Sequence, residues 1–162
     1  NSVKLKTGVK RLINELTQKN VRQFIVTSSS KIQVELLVSY LFDNLNPFEF
    51  IISSDDVEDH KPNPLPYLEA IRLSGIKNTK SIVFEDSNPG IKASIAANLP
   101  TIYIPSNIPT NLDEDIKLDC IINSLGDGIE VAKVVKGPKI DSKYVDYSYL
   151  NKYLKLIFNA EN

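Results

Sequence analysis

The sequence predicts an α/β fold: an open, mainly parallel sheet covered by helices on both faces. Three observations predict it. Short, largely apolar runs (Phe24-Ile25-Val26, Phe50-Ile51-Ile52 and Ser81-Ile82-Val83-Phe84) have the character of strands buried inside a sheet. Segments with helical periodicity separate them. The connections are short and end in turn residues, as in successive βαβ units.

The elements follow in order. Residues 7–19 read as a helix, with Val9, Leu12, Ile13 and Leu16 at i, i+3, i+4 and i+7 and Thr7 able to cap its start. The Phe24–Val26 run ends in Thr27-Ser28-Ser29-Ser30. A helix over 31–42 follows, with Ile32, Leu36, Leu37, Tyr40 and Leu41 on the side expected to face inward. After Phe50–Ile52 comes an acidic loop, Ser53 to Asp59, and then a helix over 64–74 stopped by Gly75. Glu85-Asp86 closes the third strand. Asn88-Pro89-Gly90 starts the next helix, with Asn88 as cap and Pro89 in the first helical position, and Asn98 suits the left-handed residue that ends it. Strands near Thr101–Ile104 and Cys120–Ile122 complete the series. Lys136 to Asp146 reads as a linker to a last helix, Tyr147–Phe158, whose Leu150, Tyr153, Leu154, Ile157 and Phe158 form one apolar stripe.

Composition narrows the function classes. The 162 residues, 42% hydrophobic and 24% charged, suit one soluble domain with a real core. Nineteen basic against twenty acidic residues leave a charge of −1, which argues against a nucleic-acid partner. The one cysteine, Cys120, fits a reducing, cytoplasmic setting, and with the one histidine, His60, it practically excludes a structural zinc site. No apolar run is long enough to span a membrane.

Ligands of parallel α/β sheets bind beyond the carboxyl ends of the strands. Three polar clusters lie there. Thr27 to Ser30 offers hydroxyls and free N–H groups at the start of a helix, suited to an anion. His60-Lys61-Pro62-Asn63-Pro64 holds a lysine on a stiff, proline-flanked loop. Glu85-Asp86-Ser87 sets adjacent carboxylates at a strand end, suited to a hard cation such as Mg²⁺. Taken singly, each has a plain explanation: a serine-rich helix cap, a solvated charge, capping acids. Together, at the ends of successive strands, they form the set that phosphoryl transfer needs for positioning and charge stabilisation.

At these residues the sequence resembles the haloacid-dehalogenase superfamily. Val26-Thr27-Ser28-Ser29-Ser30-Lys31 resembles its second motif, and Lys61-Pro62-Asn63-Pro64-Leu65-Pro66-Tyr67 its KPxPxxY loop. Val83-Phe84-Glu85-Asp86-Ser87-Asn88-Pro89-Gly90-Ile91-Lys92-Ala93 is close to the FEDSxxGIxAA run of the β-phosphoglucomutase and CbbY-like sugar-phosphate phosphatase branch. Leu5-Lys6-Thr7-Gly8-Val9 resembles the L-x-P-G-V segment by which such chains re-enter the core from their cap. The resemblance implies a partial Rossmann-like three-layer α/β/α core, taken as residues 1–135; the linker and the helix expected to pack on it make up 136–162. It also implies that Ser28 binds the transferring phosphoryl group with help from the Ser29 backbone. Thr27 is the alternative to Ser28. Lys61 would neutralise the phosphoryl oxygens and the nucleophile, and Asp86 would bind Mg²⁺ with Glu85 as a direct or water-mediated partner.

One departure from the pattern is large. The DxD motif, which carries the aspartate nucleophile and the acid/base aspartate, is absent, and so is the cap. Asp113-Glu114-Asp115 follows no apolar strand. With Asn1 at its start, the chain reads as a fragment of a Mg²⁺-dependent enzyme that hydrolyses a small sugar phosphate through an aspartyl phosphate. A sugar phosphomutase is the alternative, as is a non-catalytic phosphate-binding module. A receiver-like signalling domain ranks last. In this superfamily the nucleophile strand lies in mid-sheet. The strands ending at Ser28 and Asp86 are therefore expected to face a slot, filled by the missing amino-terminal segment rather than by a second copy or by sheet closure.

Overall fold

The computed structural model describes residues 4–106 and 112–159. Residues 1–3 and 107–111 of the expected core and the last three residues of the expected tail lie outside the described residues. The elements run α1 (Val9–Gln18), β1 (Phe24–Val26), α2 (Lys31–Leu41), β2 (Phe50–Ile52), α3 (Leu65–Ser74), β3 (Val83–Glu85), α4 (Asn88–Ala96), β4 (Thr101–Tyr103), β5 (Cys120–Ile122), β6 (Val134–Lys136) and α5 (Tyr147–Asn159). The fold is α/β with a mainly parallel sheet, as expected.

The strands form two separate groups. β1 pairs with β2 in parallel, Phe24 opposite Phe50. β3, β4 and β5 are parallel neighbours, and β6 closes that group antiparallel to β5. Backbone alternation shows which edges are open. The Thr27 N–H donates to the Ile52 carbonyl and the Glu49 N–H to the Gln23 carbonyl, so odd residues of β1 face β2. Phe24 and Val26 therefore present their backbone groups to the opposite edge. By the same alternation, Val83 and Glu85 bond towards β4 and Phe84 presents its groups away from it. Among the described residues no strand pairs with either edge.

Packing holds the two groups together. On one face Tyr67 and Ile71 of α3 and Ala93 and Ala97 of α4 pack with Val26 of β1 and Val83 of β3. On the other, α1 sends Ile13 towards Val34, Val38, Ile25 and Ile51, and Leu12 and Leu16 towards Ile102, Cys120, Ile122 and α5. The result is three layers, with α1, α2 and α5 on one side and α3 and α4 on the other. Among the described residues no helix is long and apolar enough to cross a membrane.

Several sequence expectations are corrected. The first residue before α1 is Gly8, not Thr7; its φ of +83° is left-handed, and a side chain there would overlap the Gly126 carbonyl. α4 is capped by Ser87, whose hydroxyl accepts the Gly90 N–H at 3.2 Å, so Asn88 is inside the helix. α2 buries Val34 and Val38 and leaves Ile32, Leu36 and Tyr40 exposed, with Leu37 at the margin. In the 136–146 stretch Val145 is fully buried and its N–H reaches the Leu125 carbonyl. Gly75 and Asn98 take the left-handed conformation after α3 and α4, as expected. α5 packs through Tyr149, Leu150 and Tyr153.

Candidate functional site

β1 delivers residues 27–30 to the carboxyl rim of the sheet. Thr27 Oγ1 accepts the Ser29 N–H at 3.1 Å, and Ser30 forms a reciprocal capping box with Gln33 at the start of α2. The Lys31 N–H, the first of the helix, goes to Asp55 Oδ2 at 2.9 Å. The N–H groups expected to be free for an anion are thus committed at Ser29, Ser30 and Lys31. Ser28 is exposed and makes no hydrogen bond among the described residues. The acidic loop that supplies Asp55 is itself locked. Asp56 Oδ2 accepts the Ser53 N–H at 2.9 Å and the Ser53 hydroxyl at 2.6 Å. Those two bonds hold the Asp56 carboxyl below the usual range, with Lys31 adding a smaller effect of the same sign.

Lys61 leaves its loop and runs inward. Its side chain is 9% exposed, and its three N–H donors all have partners: the Val26 carbonyl at 2.9 Å, the Tyr67 hydroxyl at 3.2 Å and Glu85 Oε1. Val26 ends β1 and Glu85 ends β3, so one ammonium ties together the two strands whose facing edges are open. Tyr67 also donates its hydroxyl to Glu85 Oε1. Burial, and then the Glu85 charge, push the Tyr67 phenol well above its ordinary value, so it remains a donor.

Strand alternation sends Glu85 and Asp86 to different sides. Glu85 turns to the α3–α4 side, where its second oxygen accepts the Asp86 N–H at 3.3 Å and the Ser87 hydroxyl at 3.4 Å. A side chain at Gly90 would overlap that carboxylate, which is why α4 needs a glycine there. Asp86 is more than half exposed and meets Lys6, Nζ to Oδ2 3.0 Å; Lys6 also donates to the Ile104 carbonyl at 3.0 Å.

The haloacid dehalogenase-like hydrolase pattern matches residues 1–104, close to two thirds of the chain and every residue of this rim. The chain belongs to that family. It is 34% identical over 125 residues to the bifunctional riboflavin kinase/FMN phosphatase of Arabidopsis thaliana, covering 77% of this chain and 33% of that protein. It is 32% identical over 106 residues to the protein CbbY of Rhodobacter capsulatus, covering 64% and 47%. The crystal structure of CbbY from Rhodobacter sphaeroides in complex with xylulose-1,5-bisphosphate superposes with a TM-score of 0.69 at 29% identity, covering 74% of this chain and 54% of that one. The chain thus spans about half, or less, of the length of these relatives.

Within this haloacid dehalogenase-like core, the structure brings Lys61 and Glu85 into contact and turns Asp86, the next residue, to Lys6, with Ser28 two residues beyond the carbonyl that Lys61 holds. Both oxygens of Glu85 accept protein donors, Lys61 and Tyr67 on Oε1 and the Asp86 N–H and Ser87 hydroxyl on Oε2. Among the described residues no three His, Cys, Asp or Glu side chains are grouped to hold an ion. Asp86 still suits Mg²⁺, which is commonly bound through one or two carboxylates with water and substrate phosphate completing its shell. A cationic group already stands between the Asp86 carboxylate and the Ile104 carbonyl, two hard oxygens. Sequence reasoning gave no role to Tyr67 or Lys6. The tyrosine of KPxPxxY was a usable signal for the first; nothing local signals the second.

Proposed function

We propose that this chain supplies the phosphate- and metal-binding half of a Mg²⁺-dependent phosphatase acting on a small sugar phosphate. The single observation that carries the reading is the Lys61 ammonium, buried at the junction of two strand ends. A fixed cation at that rim suits a transferring phosphoryl group, whose charge is spread over its equatorial oxygens. The xylulose-1,5-bisphosphate and phosphate found in CbbY structures support the substrate class.

In this reading Ser28 hydrogen-bonds the phosphoryl oxygens, and the Ser29 hydroxyl lies close enough in sequence to assist where its N–H does not. Lys61 offsets the charge that develops on those oxygens, and Glu85 with Tyr67 holds it in place. Asp86 holds Mg²⁺, which when bound would neutralise charge between phosphate and protein. The nucleophilic aspartate, which forms and then loses the aspartyl phosphate, would come from a strand outside this sequence that enters between β1 and β3. The open edges at Phe24, Val26 and Phe84 support that placement. A cytoplasmic setting suits the buried thiol of Cys120.

Phosphate release by the full-length protein from a panel of sugar mono- and bisphosphates, with Mg²⁺, tests the reading. Asp86→Asn and Lys61→Ala, assayed where circular dichroism shows both folded, are expected to lose on the order of a hundredfold or more in rate. Full activity in both variants would overturn it. Phosphate binding without turnover by the intact protein would instead mark a non-catalytic phosphate-binding module.

A further inference from the structure

Lys6 is a cation at the rim to which the proposed chemistry gives no task. It lies just before α1, where the chain is closely held: Gly8 passes against the Gly126 carbonyl and the Val9 N–H bonds the Lys6 carbonyl at 3.2 Å. From that fixed base the side chain reaches the ends of two neighbouring parallel strands. Its ammonium lies 3.0 Å from Asp86 Oδ2, just past β3, and 3.0 Å from the Ile104 carbonyl, just past β4. A carboxylate and a carbonyl converging on one positive group form the oxygen set that a hard divalent cation also takes.

We propose that Lys6 is the built-in counter-ion of the metal site, occupying Asp86 in the metal-free protein and setting the affinity for Mg²⁺ by competition. The inference rests on the reading that Asp86 holds the metal. A divalent ion on the Asp86 carboxylate would share it with the Lys6 ammonium, and two positive charges a few ångström apart oppose each other whether or not Lys6 moves. The pair is partly exposed, with side-chain accessibilities of 36% for Lys6 and 52% for Asp86, so the competition is modest and the site still fills. Glu85 is no alternative seat for Lys6, because Lys61 and Tyr67 already occupy it.

Calorimetric titration of the full-length protein with Mg²⁺ alone tests this without reference to activity. Lys6→Met keeps the length of the side chain and removes its charge. It is expected to bind Mg²⁺ about three- to tenfold more tightly than wild type at low salt, the gap narrowing as salt rises. Lys6→Arg, which keeps the charge, is expected to bind as wild type does. Equal or weaker Mg²⁺ binding by folded Lys6→Met would overturn the inference while leaving the phosphatase reading intact. Asp86→Asn separates the two: unchanged Mg²⁺ affinity in that variant would overturn the metal assignment and this inference with it.

Discussion

The two halves of the molecule are made from strands of equal length and similar composition, yet they bury them differently. β4 is buried along its whole length, and Ile102, Cys120 and Ile122 have no exposure at all. β1 is only half-buried throughout, and α2 above it exposes Ile32, Leu36 and Tyr40. The cause is neighbours. β4 has a strand on each side and helices on both faces, whereas β1 has one partner and one open edge. What joins the halves is helix packing and one polar knot, Lys61 with Glu85 and Tyr67. The residues proposed to act on phosphate are therefore also the joint between the two groups of strands.

The largest expected effect tests that joint. Glu85→Ala leaves the Lys61 ammonium buried without its counter-charge, and breaking such a pair costs about 3–5 kcal/mol. Chemical denaturation of the variant measures it; a loss below about 1 kcal/mol would mean that packing alone joins the halves. Next comes the asymmetry of the two cores. Ile102→Ala, at a fully buried site, is expected to lose about 2–5 kcal/mol. Ile25→Ala, half-buried beside the open edge, should lose less. Equal losses would show that β1 is as enclosed as β4.

A smaller effect concerns the outer face of α2. Leu36→Gln is expected to stay within about 0.5 kcal/mol of wild type, as exposed sites do. A clear loss in the full-length protein would show that another part of that protein covers this face. The smallest effect is local to residues 53–56. The folded Asp56 carboxyl is held below its ordinary value of about 3.9 by Ser53. Its support for the loop is therefore present above that value and lost only as pH falls through the lowered one. An NMR titration of Asp56 should give a midpoint below that of an ordinary aspartate. A midpoint at or above it would release the loop from its proposed lock.

How much of this was legible depends on the element. β1, β2 and β5 have the expected bounds, because three consecutive apolar residues between polar turns leave little choice. β3 is displaced towards its carboxyl end, so Glu85 belongs to the strand and not to the loop after it. β6 was not expected at all; its antiparallel pairing with β5 joins residues more than ten apart, and Val134-Val135 is too short a run to signal it. In α2 the stripe Ile32, Leu36, Tyr40 and the stripe Val34, Val38, Leu41 both have helical spacing, so periodicity allowed either face. The capping box at Ser30 and the Asp55 carboxylate on the Lys31 N–H accompany the rotation that buries the second.

The sequence by itself determined the class of fold, the order of the elements other than β6, and the family, because these depend on local patterns: apolar runs, helical periods and a motif contiguous from Val83 to Ala93. It also named Ser28, Lys61, Glu85 and Asp86, though not Lys6, since a strand end and the loop after it are read from neighbouring positions. Only the tertiary structure decided what each rim residue touches. Glu85 and Asp86 are adjacent carboxylates with the same chemistry, and nothing in their order says which takes Lys61 and which takes Lys6. That division follows from strand alternation, which turns Glu85 towards Tyr67 and Gly90, and from the course of the chain before α1, which brings Lys6 to Asp86 from eighty residues away. Contacts made across such a separation depend on how whole layers pack.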